Sequence, residues 1–414
     1  MSGISPTAWS PCSSTGVSGT VTTIVYPLCA TVHFIALLYR GLRLLRSRTI
    51  SDLALLGIFF FSFLVWFFVL PWFWGPWSRA AGIPNFAGLL SHTAVILAVA
   101  CQQILILHLS QNDPHIAWRK AAPRLAGLAA ALVAMGVLFG HGLPDHPTDF
   151  AVSKAVASPA YITVYIVAYG ITQVDIARMS WRYMRLAPST WLRRAMWMVA
   201  FGTGLLFIYC VGRFAAIVAG LLTGGRVTGH AWEPVTLIAV ATGSCVQITA
   251  WVMPRLGPRL TALRATLLRS SIEAETTRLH QALIAAVPHV ARDIDTAGDR
   301  DLRLWRLVIE NRDAQRQLVP WMDPRVTDIA RRQGRVNNQR GTRLAATVEA
   351  THLRFAIAAK QRGDAPDSTT DPIRAIEPTD QPEELLFQRQ LARAFYSPTV
   401  DTALAELTAS HTKN

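Results

Sequence analysis

Apolar residues are spread very unevenly along this chain. Seven runs of about 20 mostly apolar residues precede Pro254, at about 21–39, 53–71, 88–109, 122–140, 160–178, 195–222 and 234–253. A helix needs ~20 such residues to cross the ~30 Å hydrocarbon core of a bilayer. A segment in lipid must satisfy its own backbone hydrogen bonds, so each run predicts a spanning helix. The runs are too long for barrel strands and lack alternation.

Beyond Pro254 the spacing becomes amphipathic and helical. Residues 262–287 carry Leu263, Leu267, Leu268, Leu279, Leu283 and Val287, with Pro288 as a stop. Asp299 or Asp301 caps a helix running to Pro320, with Leu302, Trp305 and Ile309 on one face and an Arg306–Glu310 pair at i, i+4. A short helix around 325–333 follows. A longer one around 341–362 shows Leu344, Val348, Phe355 and Ala359, with Gly363 just beyond. Residues 363–382 hold Pro366, Pro372, Pro378 and Pro382 and little that packs, which predicts a flexible linker. A final helix at about 383–396 carries Phe387, Leu391 and Phe395 on one stripe and is expected to dock back on its predecessors.

The resulting fold class is all-α: a polytopic membrane protein of seven transmembrane helices followed by a bundle of four or five cytoplasmic helices. The domain plan is an extracytoplasmic segment (1–20), a membrane domain (21–254), a cytoplasmic helical domain (255–362), the linker (363–382), and a C-terminal helix with its tail (383–414).

Loop charge gives the expected direction. Arg40, Arg43, Arg46 and Arg48 follow the first run. Arg119, Lys120 and Arg124 follow the third, and Arg178, Arg182, Arg185, Arg193 and Arg194 the fifth. The opposite loops hold only Arg79, Lys154 and Arg226. The basic side is cytoplasmic by the positive-inside rule, so the N-terminus is expected outside and the C-terminus in the cytoplasm of a cell-membrane protein. Trp72, Trp74, Trp77 and Trp232 then fall at the outer interface, and Trp118, Trp181, Trp191, Trp197 and Trp251 near the inner one. Residues 1–20 are uncharged and rich in Ser, Thr and Gly, unlike the basic start of a cleaved signal peptide.

Composition supports the membrane class, with 51% hydrophobic residues and a mean hydropathy of +0.29. The net charge of +14 evokes nucleic acid, but residues 1–254 hold 16 Lys and Arg against 6 Asp and Glu, mostly in short loops. The bilayer is thus the expected partner, and nucleic acid is not. Of the five cysteines, Cys29, Cys101, Cys210 and Cys245 lie in apolar runs and only Cys12 in a polar one, which fits neither a disulfide framework nor a zinc site.

Six polar residues inside the spans are the candidate ligand or polar-path groups. Arg213 is the one basic residue within a span, either pairing with Glu233 or snorkelling outward, or serving a ligand or gate. It costs ~2.5–3.5 kcal/mol to insert, while the twelve Leu, Ile, Phe and Val of residues 195–222 return roughly 4–7 kcal/mol. Gln102, Gln103, Gln173, Asp175 and Gln247 fall five to eight residues before the inner ends of their spans. At that shared depth they form either interhelical hydrogen bonds or a pocket open to the cytoplasm, with Asp175 in reach of Arg178 or Arg182. Tyr161, Tyr165 and Tyr169 share one helix face and read as packing, Gly202, Gly204 and Gly212 allow close helix approach, and His33 and His92 are isolated.

No metal-ligand spacing, phosphate loop, HExxH or GxSxG is present, so no enzyme activity and no cofactor is expected. The chain lacks the inverted repeat of many carriers.

The stretches LHQALIAAVPHV (279–290), DLRLWRLVIENRDAQRQLVPWMDP (301–324) and QRQLARAFYSP (388–398) resemble an uncharacterised actinobacterial family. Its members join seven membrane helices to a helical C-terminal domain of unknown function and commonly carry a transporter label. The family often has Tyr at Trp305 and Arg-Pro-Tyr at Val319-Pro320-Trp321. The resemblance implies no catalytic residues. Two functions are expected to compete. One is a membrane sensor or interaction protein, with a cytoplasmic protein partner docking on residues 255–414. The other is a small-molecule transporter using the cytosol-facing pocket.

Overall fold

The structure is a computed structural model describing residues 17–44, 49–83, 85–111, 113–141, 159–222, 233–291, 299–367 and 380–411. Among them every regular element is helical. The chain forms two compact units, Met1–Arg255 and Leu256–Asn414.

The first unit contains α1 (Val17–Leu44), α2 (Ile50–Phe68), α3 (Pro71–Ala81), α4 (Phe86–Ser110), α5 (Pro114–His141), α6 (Pro159–Leu186), α7 (Thr190–Leu222) and most of α8 (Glu233–Leu267). Six helices are long and apolar enough to cross a membrane: α2, α4, α5, α6 from Ala160, α7, and α8 from Val235. In α1 the apolar stretch is the shorter Thr23–Tyr39. Their outward faces expose large apolar side chains, such as Val133 (67%), Ile171 (67%) and Leu222 (82%). Water penalises such faces and hydrocarbon does not, so they suit a multi-pass membrane protein.

Local sequence sets the helix ends. Thr49 caps α2 by accepting from the Asp52 N–H at 3.2 Å, and Asp52 places a carboxylate on the positive end of the helix. Pro71 opens α3, and Gly82 closes it at φ +64°. The patterning missed α3, because four aromatic residues in eleven read as an interfacial loop. Trp72 and Trp77 are exposed, but Trp74 is buried over Gly88 of α4, and Trp251 is buried as well. Both serve packing rather than an interface. Trp232 lies outside the described residues.

The domain boundary drawn at Pro254 falls inside a helix. Pro254 and Pro258 each remove one backbone hydrogen bond, yet α8 continues to Leu267 and yields to a new helix after Leu268.

The second unit holds the end of α8 with α9 (Arg269–Ala286), α10 (Arg300–Leu318), α11 (Arg325–Val336), α12 (Thr342–Arg362), α13 (Gln381–Phe395) and α14 (Pro398–His411). Asp299 caps α10 by accepting from the N–H groups of Asp301 and Leu302. Leu279, Leu283, Leu318, Leu353 and Leu391 are wholly buried in one core. Phe387, Leu391 and Phe395 dock α13 onto α9 and α12, as their stripe predicts. The stripe chosen on α10 faces outward: Leu302 and Ile309 are half-exposed, while Leu304, Leu307, Val308 and Leu318 are buried. Both faces of α10 are apolar at helical spacing, and periodicity does not rank them.

Arg312 of α10 reaches Glu349 of α12 at 2.9 Å and Glu384 of α13 at 2.9 Å. These charged hydrogen bonds outweigh burial and hold its pKa above the usual guanidinium value. Helix α14, expected as a tail, packs on α11 and α12 through Val400, Ala403 and Leu407, and Glu406 pairs with Arg332. Most of the expected linker (368–379) lies outside the described residues.

Candidate functional site

The first unit contains a cavity of about 130 Å³ lined by residues of α1, α2, α4, α6, α7 and α8. Tyr165 and Tyr169 of α6 form its aromatic wall, and the i, i+4, i+8 spacing puts them with Tyr161 on one buried face. Tyr165 and Tyr169 stack with centroids 5.8 Å apart, and Tyr165 stacks on the His92 ring of α4 at 4.1 Å. Nδ1 of His92 lies 2.9 Å from the Tyr161 hydroxyl. His33 of α1 is anchored by Nδ1 at 2.7 Å from the Cys29 carbonyl and borders Trp66. Arg213 of α7 lies over the Tyr209 ring, its guanidinium carbon 5.9 Å from the ring centroid.

Two glutamines bound the cavity at its other end. Gln102 Nε2 donates to Gln247 Oε1 at 3.1 Å, and Gln247 Nε2 donates to Thr203 Oγ1 at 2.8 Å. This chain joins α4, α8 and α7. It is possible because Gly202 and Gly243 bring α7 and α8 into backbone contact: a Cβ on either glycine would lie 2.9 Å from the carbonyl oxygen of the other. Gly212 lies against the side-chain methyl of Thr236 of α8 rather than against backbone, and Gly204 faces open space.

The five Gln and Asp candidates at that shared depth therefore do not meet in one network. Arg213, Gln102 and Gln247 line the cavity. Gln103 instead donates to Asp175 at 3.0 Å, and Asp175 is held by Arg124 of α5 at 2.7 and 3.2 Å. Gln173 is fully buried one turn from Tyr169. Successive helical residues point about 100° apart, so Gln102 and Gln103 share a depth but face different neighbours. The partner of Asp175 is Arg124, not the same-helix Arg178 or Arg182. The Glu233 side chain lies outside the described residues.

The cavity also lies toward the opposite side of the unit from the expected pocket. His92 is in the second turn of α4, Thr236 in the first of α8, and Arg213 within the last three of α7. The basic connections join the other ends of these helices. Sequence reading set aside the tyrosine stripe and His33 and His92, all of which form or border the cavity. Tyr161, Tyr165, Tyr169 and His92 share one signal: each sits in the half of its helix remote from the arginine-rich loops, whereas His33 lies just past the middle of α1.

Among the described residues, no group of three or more His, Cys, Asp and Glu is placed to hold a metal ion. No curated protein matches the chain, and no solved structure does. A family of unknown function, DUF6545, matches residues 274–398, which lie wholly within the second unit and contain all three stretches that carry the family resemblance.

Proposed function

We propose that this chain is a non-enzymatic membrane receptor that binds a small molecule in the first unit and reports its presence through the second. One observation carries the reading. Helix α8 lines the cavity with Thr236, Val240 and Gln247, and its last residues, from Leu256, are part of the second unit. A ligand that shifts α8 therefore acts on both. The receptor spans the cell membrane seven times in this reading, with α1 as the first span, since its 28 helical residues rise ~42 Å. The basic connections are cytoplasmic, the N-terminus is outside, and residues 255–414 dock a cytoplasmic protein. Reporter fusions after α1, α4 and α6 should all read cytoplasmic; one extracytoplasmic result rejects the topology.

The functional test is hydrogen exchange on the whole protein in lipid nanodiscs. Ala98→Trp, which fills the cavity, should change exchange in α9 to α14. Unchanged exchange there removes the receptor reading. A transporter is the second reading, because Gln102 touches the cavity while its neighbour Gln103 touches Asp175, a step toward the basic side. It requires a flux in proteoliposomes that Asp175→Asn abolishes.

A further inference from the structure

We propose that the second unit carries a docking surface for an anionic bilayer, built from Arg331, Arg335, Arg340, Arg343 and Val336 where α11 turns into α12. The inference is independent of the cavity and of any ligand it holds.

The sequence concentrates charge of one sign there. Five arginines and no acid lie between Asp328 and Glu349. Among the described residues, Arg332 alone of the five makes an ion pair, with Glu406 of α14. The other four are exposed, and the exposed Asp328, one turn before Arg331, leaves the excess positive. Arginines elsewhere in the unit meet carboxylates, as Arg269, Arg312, Arg354 and Arg393 do. A solvated helix face commonly alternates the two signs, and this stretch does not.

Local structure gathers these side chains into one patch. Val326, Ala330 and Gly334 form the buried side of α11, and Arg331 and Arg335, one turn apart, lie off it. Gly334 has no Cβ, and Leu344 of α12 fills that space. Gln339 folds back, its N–H donating to the Gly334 carbonyl at 2.9 Å and its Oε1 accepting from the Thr347 hydroxyl at 2.6 Å. These contacts pin the turn and bring Arg340 and Arg343 beside the end of α11.

Two observations select lipid. Val336 is 72% exposed among these arginines. Basic side chains around a bare apolar one suit the boundary between headgroups and acyl chains, whereas a nucleic-acid backbone offers the valine nothing apolar. The unit also continues α8, the last of the helices long and apolar enough to cross a membrane, with no linker between them. Anionic headgroups are therefore the surface at highest local concentration. Guanidinium groups match their phosphates through two parallel hydrogen bonds.

The test is hydrogen exchange of the whole protein in nanodiscs of phosphatidylcholine, alone or mixed with phosphatidylglycerol. The amides of residues 334–343 should exchange about threefold more slowly in the anionic bilayer. Salt at about 1 M, which screens charge beyond ~3 Å, should remove the difference. So should Arg331→Gln, Arg335→Gln, Arg340→Gln and Arg343→Gln combined, all at exposed positions. Val336→Asp should remove part of it. Equal exchange in the two bilayers overturns the inference, and so does a slowing that the combined variant retains. Slowing by soluble polyglutamate in phosphatidylcholine discs, with none from phosphatidylglycerol, overturns it in favour of an acidic protein partner. The exchange response to Ala98→Trp is measured apart from all of these, so the receptor reading stands or falls separately.

Discussion

Gln102 on α4 donates its amide N–H to the side-chain oxygen of Gln247 on α8 at 3.1 Å, and Gln247 passes a hydrogen bond on to Thr203 of α7. One amide thus ties three helices beneath the cavity. Gln247 makes two of these bonds and Gln102 one. Interhelical hydrogen bonds in membranes contribute ~0.6 kcal/mol on average. Gln247→Leu should therefore destabilise the first unit about twice as much as Gln102→Leu. Reversible unfolding in mixed micelles measures both, and equal losses would show that the chain is not in place.

The Arg124–Asp175 pair is about one-quarter to one-third exposed. Removing one partner of a fully buried pair costs about 3–5 kcal/mol; partial solvation should reduce this to about 1–3 kcal/mol for Asp175→Asn. The exchanged double variant Arg124→Asp, Asp175→Arg should recover part of the loss. If the double variant is as unstable as the sum of the singles, the two residues do not interact.

Gly202 and Gly204 are two residues apart with opposite surroundings. Gly202→Ala sets a methyl group 2.9 Å from the Gly243 carbonyl oxygen, between two backbones that cannot yield cheaply. It should cost about 1–3 kcal/mol and loosen the Gln247–Thr203 contact. Gly204→Ala meets nothing within 4 Å and should be neutral or slightly stabilising. Thermal unfolding in nanodiscs distinguishes them, and a reversed order would mean that α7 is rotated.

In the second unit, His352 is wholly buried with Nε2 2.9 Å from the Thr327 hydroxyl. Burial lowers its pKa to about 4 against an ordinary 6.5, and the Asp323 charge opposes the shift only weakly. The native state thus favours the neutral ring, and the unfolded chain binds the proton first. The stabilisation is complete above pH 6.5, is lost as pH falls toward 4, and levels off below. The full loss is roughly 3 kcal/mol. Calorimetry at pH 7 and 4.5 should show a smaller acid-induced drop for His352→Leu than for the wild type. Equal drops would mean that the native ring is protonated readily.

Cys29 of α1 and Cys245 of α8 bring their sulfurs to 3.8 Å. A mild membrane-permeant oxidant should join them into an intramolecular disulfide that locks α1 against α8. Mass spectrometry after proteolysis would detect the linked peptides, and Cys245→Ser should abolish them. Failure to cross-link in the folded protein would separate α1 from the bundle and undercut its assignment as a span.

Much of the helical plan was legible because it depends on local quantities. Apolar runs of about 20 residues mark the six helices able to cross a membrane, which are themselves 19 to 33 residues long, since hydrocarbon demands length and low polarity from each segment by itself. Asp299 and Gly363 announced helix ends through capping chemistry that involves only neighbours in sequence. The docking of α13 followed from a single stripe on a helix with one apolar face.

Tertiary structure alone decided what these helices place together. Depth along a helix can be counted from the sequence, but rotation about its axis cannot when the whole circumference is apolar. Gln102 and Gln103 therefore looked like one polar layer and are parts of two networks. Asp175 met an arginine 51 positions away rather than one on its own helix, because α5 and α6 pack side by side. The cavity has the same origin: tyrosines, histidines and Arg213 that each look like isolated packing residues converge only when six helices fix their rotations against one another.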